Sequence, residues 1–178
     1  MKEVVFAGFG GQGILLGGHV LAHVMMDKGL EVTWMPSYGP AMRGGSATCV
    51  VKFGNELVSN PDAEETDLLI AMNEPGLKKC LPDVLPNGYV LINSNSTALT
   101  RGDRNDVHYI ALPCVEMAEK AGSSKSANFV MLGAAAKLGK LFDCEEGIKG
   151  IENFLGAEAK PAILAANISA FKAGYELF

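Results

Sequence analysis

Three glycines are the first residues in this chain that could do chemistry. The segment Val4-Val5-Phe6-Ala7-Gly8-Phe9-Gly10-Gly11-Gln12-Gly13 sets Gly8, Gly10 and Gly13 in a G-x-G-x-x-G spacing between an apolar, strand-like run and a helical pattern. Glycine at those points lets the chain turn sharply and lets its backbone come close to a pyrophosphate. The unpaired N–H groups and positive end of the following helix then favour an anion. A second reading stays open, in which the glycines only shape a tight strand-to-helix turn and hold no ligand.

A nicotinamide dinucleotide would need more than that turn. It calls for a carboxylate near the end of the second strand to hold the ribose hydroxyls, but Thr33-Trp34-Met35-Pro36 stands there and Glu31 lies at the wrong end. The other candidate is the segment Pro36-Ser37-Tyr38-Gly39-Pro40-Ala41-Met42-Arg43-Gly44-Gly45-Ser46, too rich in Gly and Pro for a crossover helix. Long irregular connections of this kind often carry function. The Arg43 guanidinium could clamp a phosphate or carboxylate through two parallel hydrogen bonds, or equally hold its own loop or a neighbouring chain.

Other reactive residue types lack companions. His19, His23 and Asp27 repeat every four residues on one side of the first helix, which makes a metal site geometrically conceivable. Leu16, Val20 and Met26 share that side, so burial under another element or a partner chain is the favoured reading. Cys49, Cys80, Cys114 and Cys144 lie far apart in sequence without a C-x-x-C pair, so iron–sulfur and structural zinc sites are unsupported and buried free thiols are expected. Ser37, Tyr38, Cys49 and Cys114 are candidate nucleophiles or proton carriers, yet none has an identifiable base. No catalytic residue and no metal ligand is assigned.

The elements that position these residues follow from periodicity. Apolar runs rich in β-branched residues at 4–7, 32–35, 47–53, 67–72, 89–93 and 107–112 read as strands. Segments 14–28, 76–81, 115–121, 127–141, 145–155 and 161–177 read as helices. Their alternation predicts a mostly parallel sheet covered by helices on both faces, with the regular rhythm broken at 36–46. Gly133-Ala134-Ala135-Ala136 permits close approach of another element, and Leu164, Ile168, Phe171, Tyr175 and Phe178 form an apolar stripe on the last helix.

Composition narrows the class. The chain has 178 residues, which fits one domain of the usual size, about 100–200 residues. It is 48% hydrophobic and 20% charged, enough apolar material for a core and too little polarity for disorder. A formal charge of −5 without a basic cluster excludes the footprint of a nucleic-acid binder. An export signal and a membrane span are both missing from the pattern, so a cytoplasmic location is expected.

Taken together, Gly8-Phe9-Gly10-Gly11-Gln12-Gly13 and Pro36 to Ala47 resemble the gamma subunit of the pyruvate, 2-oxoisovalerate and 2-oxoglutarate:ferredoxin oxidoreductases. The likeness continues through Asp67 to Asn73, Asn93-Ser94-Asn95, Ser126-Ala127-Asn128 and Leu132-Gly133-Ala134. One departure is Ala41, where the family commonly has Glu before Met-Arg-Gly-Gly. The resemblance implies a single Rossmann-like α/β domain over residues 1–178, within a complex that oxidatively decarboxylates a 2-oxoacid to an acyl-coenzyme A. Thiamine diphosphate, coenzyme A and iron–sulfur clusters would serve that complex, with the thiamine-binding and cluster-binding subunits as partners and ferredoxin as indirect electron acceptor. This chain would hold none of those cofactors alone. Its share would be assembly, with Gly8, Gly10, Gly11, Gln12, Gly13, Ser37, Tyr38, Arg43, Gly44 and Gly45 contributing to the coenzyme A or active-site region. A freestanding NAD(P) or flavin reductase and a purely structural module are the alternatives, and pairing of two copies in isolation stays open.

Overall fold

The computed structural model describes residues 1–39, 45–57, 60, 62–98, 101–157 and 159–178. Among these residues six strands form one sheet: β1 (Lys2–Phe9), β2 (Glu31–Tyr38), β3 (Ser46–Gly54), β4 (Thr66–Ala71), β5 (Val84–Asn93) and β6 (His108–Leu112). The helices are α1 (Ile14–Asp27), α2 (Glu74–Cys80), α3 (Cys114–Lys120), α4 (Ala127–Leu138), α5 (Cys144–Leu155) and α6 (Pro161–Tyr175). Short 3-10 turns at Leu81–Asp83 and Ser124–Ser126 join their neighbours.

The strand order is β2-β3-β1-β4-β5-β6. β1, β4, β5 and β6 pair in parallel, whereas β3 runs antiparallel to both β1 and β2. One strand in six therefore opposes the rest, and the mostly parallel sheet expected from the sequence is the one formed. The broken rhythm is a β2–β3 hairpin inserted where a crossover helix would otherwise stand.

Two expected boundaries move. β2 extends through Pro36 to Tyr38. Pro36 is tolerated because β2 is an edge strand, where a missing N–H need not cost a ladder bond. Residues 36–38 and Ser46, read from the sequence as irregular, are thus strand. β5 begins at Val84, five residues before Tyr89, across a register shift opposite Thr66 and Leu68.

Alternation along the strands fills two apolar layers. Val4, Phe6, Cys49, Val51, Leu68, Ile70 and Leu91 pack towards α1 and α3 to α6, while Val5, Ala7, Leu69, Ala71, Val90 and Ile92 face Leu77 and Cys80 of α2. Strands buried on both faces read as continuous apolar runs. Helix α4 is the centre of the thicker layer, with every residue from Ala127 to Ala136 buried. The small residues singled out on it meet α6: a Cβ on Gly133 would run into the carbonyl of Phe171, and one on Gly174 into that of Val130. Intradomain packing explains both that run and the buried Phe171 of the last helix.

At the amino ends of the parallel strands, the buried Glu3 carboxylate meets Lys52 Nζ at 3.3 Å and accepts from Thr66 Oγ1 at 2.7 Å. That satisfied pair joins β1 to β3 and to the start of β4.

Candidate functional site

The glycine-rich turn lies at the opposite end of the sheet, where β1 gives way to α1. Gly8 is still strand, and a Cβ there would sit 2.7 Å from Gln12 Oε1 and 3.0 Å from the Met72 Cβ. Gly11 and Gly13 have φ of 95° and 71°, the left-handed region where a side chain is strained. The turn closes with Gln12 N–H donating to Phe9 C=O at 3.2 Å. Glycine at Gly8 answers a close approach, and at Gly11 and Gly13 a backbone conformation.

Gln12 faces inward. Its Oε1 accepts from Phe9 N–H at 2.7 Å and Asn73 Nδ2 at 3.1 Å, and its Nε2 donates to Met72 C=O at 3.1 Å. Asn93 Nδ2 reaches the same Met72 carbonyl at 3.2 Å, while Asn73 Oδ1 caps α2 by accepting from Gly76 N–H at 2.8 Å. These amides bind the carboxyl ends of β1, β4 and β5 together without charge.

Outside the turn lies a cleft of about 730 Å³. Gly10, Gly11 and Gly13 form one wall, Tyr38 and Gly45 the other, and Ile14, Leu15 and Leu16 the floor. Gly10 N–H donates to Gly45 C=O at 3.2 Å, joining the walls directly. No charged side chain lines the cleft among the described residues. α1 starts without a side-chain cap or an acid in its first turn, so the orphan N–H groups of Ile14, Leu15 and Leu16 are the positive element that the described residues offer.

The ten sequence candidates therefore separate. Gly10, Gly11, Gly13, Tyr38 and Gly45 share the cleft. Gly8 and Gln12 build the turn from behind. Ser37 is exposed on the β-sheet face opposite Tyr38, since successive strand residues alternate. Arg43 and Gly44, like Ala41, lie outside the described residues. Ile14, Leu15, Leu16 and the amides Asn73, Asn93 and Asn128 escaped the sequence reasoning as site residues; their signal was position at strand ends and helix starts and, for the three amides, a place in the strings that carry the family resemblance.

The strand beside β1 also bears on the dinucleotide reading. Because β3 runs antiparallel, it begins at the turn, with Ser46 opposite Phe9 and Ala47 opposite Gly8. β2 lies one strand further out, and Glu31 pairs with Gly54 at the far end. No carboxylate from either strand stands where ribose hydroxyls would come.

The remaining candidates are packed. His19 stacks on Trp34 with centroids 4.6 Å apart, and both His19 and His23 lean on Phe154 of α5. Burial, and then His23, hold the His19 pKa below its ordinary value. The covering element expected over this helix face is α5, and Asp27 Oδ2 accepts from Asn153 Nδ2 there at 3.4 Å. Burial pushes the Cys49 and Cys114 thiols up to about 12 and Cys80 to about 11. They stay protonated at neutral pH and are poor nucleophiles.

Comparison with known proteins agrees with this geometry. A ketoisovalerate oxidoreductase subunit VorA from Methanothermobacter thermautotrophicus is 36% identical over 174 residues, covering 98% of this chain and 36% of that relative. The chain thus spans about a third of the length of the ketoisovalerate relatives it matches. A 2-oxoglutarate synthase subunit KorC from Methanocaldococcus jannaschii is 32% identical over 181 residues, covering 99% of this chain and 93% of that one. The gamma subunit of a keto/oxoacid ferredoxin oxidoreductase from Geobacter sulfurreducens superimposes with a TM-score of 0.82 at 26% identity, covering 99% of this chain and 97% of that one. With the family model for pyruvate ferredoxin/flavodoxin oxidoreductase matching residues 3–177, this chain belongs to that family.

Proposed function

We propose that this chain is the gamma-type subunit of a cytoplasmic 2-oxoacid:ferredoxin oxidoreductase, and that its cleft receives the phosphate-bearing part of coenzyme A. The complex would cleave carbon dioxide from a 2-oxoacid, pass the acyl group to coenzyme A and send two electrons to ferredoxin. In the complex, thiamine diphosphate would supply the decarboxylation chemistry and iron–sulfur clusters the electron transfer. This chain fits neither group. Its cysteines stand on four different elements, β3, α2, α3 and α5, and the described cleft lining offers no carboxylate for a metal bridging a diphosphate. Thiamine- and cluster-binding partner chains are assigned those tasks.

The carrying observation is that the glycine turn and both ends of the β2–β3 connection meet on one cleft at the uncapped start of α1. Orphan amides at a helix start are suited to phosphate oxygens, and Arg43, in the same connection, is chemically apt to add a bidentate clamp. The apolar floor and Tyr38 would receive the less polar part of such a ligand. A freestanding nucleotide reductase is disfavoured by the position of β3. The inward wiring of Gln12 favours the purely structural module as the second reading.

The test is steady-state kinetics of the assembled complex carrying Gly11→Val or Arg43→Ala. Either change is expected to raise the KM for coenzyme A about tenfold, the equivalent of about 1.4 kcal/mol of lost binding, and to leave the 2-oxoacid KM unchanged. Unaltered assembly with unaltered coenzyme A kinetics would favour the structural module.

A further inference from the structure

The glycine turn is held from two sides, and only one of them is Gln12. On the other, Asn128 Nδ2 donates to the Gly13 carbonyl at 3.0 Å, an oxygen that also accepts Gly17 N–H at 2.9 Å as the first bond of α1. Asn128 is the second residue of α4 and only 2% exposed. The fit is mutual: a Cβ on Gly13 would lie 2.7 Å from Asn128 Nδ2 and 2.8 Å from its Cγ.

Stability alone does not account for an asparagine there. Its Oδ1 is buried without a hydrogen-bond partner among the described residues, which costs folding free energy that an apolar side chain of similar shape would avoid. The amide's return is geometric. A trans peptide unit is planar, with its C=O and N–H directed oppositely, so pinning the Gly13 oxygen also aims the Ile14 N–H. Ile14 lines the cleft, and its N–H is among the orphan amides at the helix start. The anchor behind Asn128 is the fully buried α4, which cannot yield as a loop would.

We propose that Asn128 is a positioning residue for the phosphate-bearing ligand of the cleft, acting through the Gly13–Ile14 peptide without touching the ligand. This rests on the coenzyme A reading of the cleft.

The experiment compares Asn128→Leu, Asn128→Ser and Gly11→Val in the assembled complex, by coenzyme A kinetics and by hydrogen exchange of residues 11–17. Asn128→Leu is expected to raise the KM for coenzyme A about three- to tenfold, the loss from one neutral hydrogen bond. kcat should stay within about twofold, because an interaction made equally in ground and transition states shifts KM alone. Exchange at Gly17, whose N–H is bonded to the same Gly13 carbonyl, should quicken, while the melting temperature holds or rises as the unpartnered oxygen is removed. Should Leu disturb α4, Asn128→Ser shortens the donor without adding bulk and should give the same KM shift. A lower melting temperature with unchanged KM would mark a merely structural residue and overturn the proposal. If Gly11→Val raises the KM and both Asn128 variants do not, positioning fails while the coenzyme A reading stands. If none of the three moves the KM, that reading falls and takes this one with it. Exchange unchanged at residues 11–17 in both Asn128 variants overturns the proposal whatever the kinetics.

Discussion

Helix α5 opens on Asp143, whose side chain accepts from Glu146 N–H at 2.8 Å while the Glu146 carboxylate accepts from Asp143 N–H at 2.8 Å. Helix α1 opens on Gly13, left-handed and with no side chain to offer. Both starts carry the same orphan amides and the same partial positive charge. In α5 the Asp143 side chain accepts from one of them, Glu146 N–H, while Glu145 and Glu146 add negative charge in the first turn and Lys28 pairs with Glu146. In α1 the first turn has no acid, and the residues behind those amides line a cleft. A helix start that a protein leaves unsatisfied is one available to a ligand, and here the glycines that give access also remove the cap.

The comparison breaks most visibly at Gly13. Gly13→Val forces a β-branched residue to positive φ and drives it into Asn128, so urea unfolding of the purified protein should lose about 3 kcal/mol from backbone strain and overpacking combined. A loss under about 1 kcal/mol would mean that the α1 start relaxes freely and is no rigid wall. Next comes Asp143→Ala, which opens the α5 start: about 1 kcal/mol of stability should go, with the coenzyme A KM of the complex unchanged. Any KM shift from that variant would erase the division between a structural and a ligand-facing helix start.

The smallest effect is the acid limb of the stability curve. Lys28, first, and the Asp143 backbone N–H hold the Glu146 carboxyl below its usual range. A depressed folded pKa adds stability that is complete above the unfolded value and is lost as pH falls through the folded one. Glu146→Gln should therefore flatten the pH dependence below about pH 4.5, near the free glutamate pKa, and raised salt should do the same in part because the pair is near the surface. An identical slope in wild type and variant would remove the electrostatic share of this cap.

Much of the frame was readable from residue order. Continuous apolar runs foretold strands buried on both faces, and Gly133 to Ala136 foretold a close helix contact that α6 makes. What escaped was direction. Periodicity marks β2 and β3 as strands but says nothing of which strand lies between which, so the antiparallel insertion of β3 beside β1 was invisible, and with it one reason why no carboxylate stands by the turn. Gln12 is a related case: within the motif it reads as a ligand contact, and its partners Met72 and Asn73, which hold its amide, lie about sixty residues away in sequence.

By itself, the order of residues determined where backbone could turn and where charge was missing. Gly11 and Gly13 permit positive φ, the cysteines are too scattered for a cluster, and the family motifs are contiguous strings. Only the tertiary structure decided which polar groups remained available. Hydrogen bonds in this site are made between strand ends and helix starts remote in sequence, and burial leaves each amide either satisfied, like Gln12, or committed on one side alone, like Asn128.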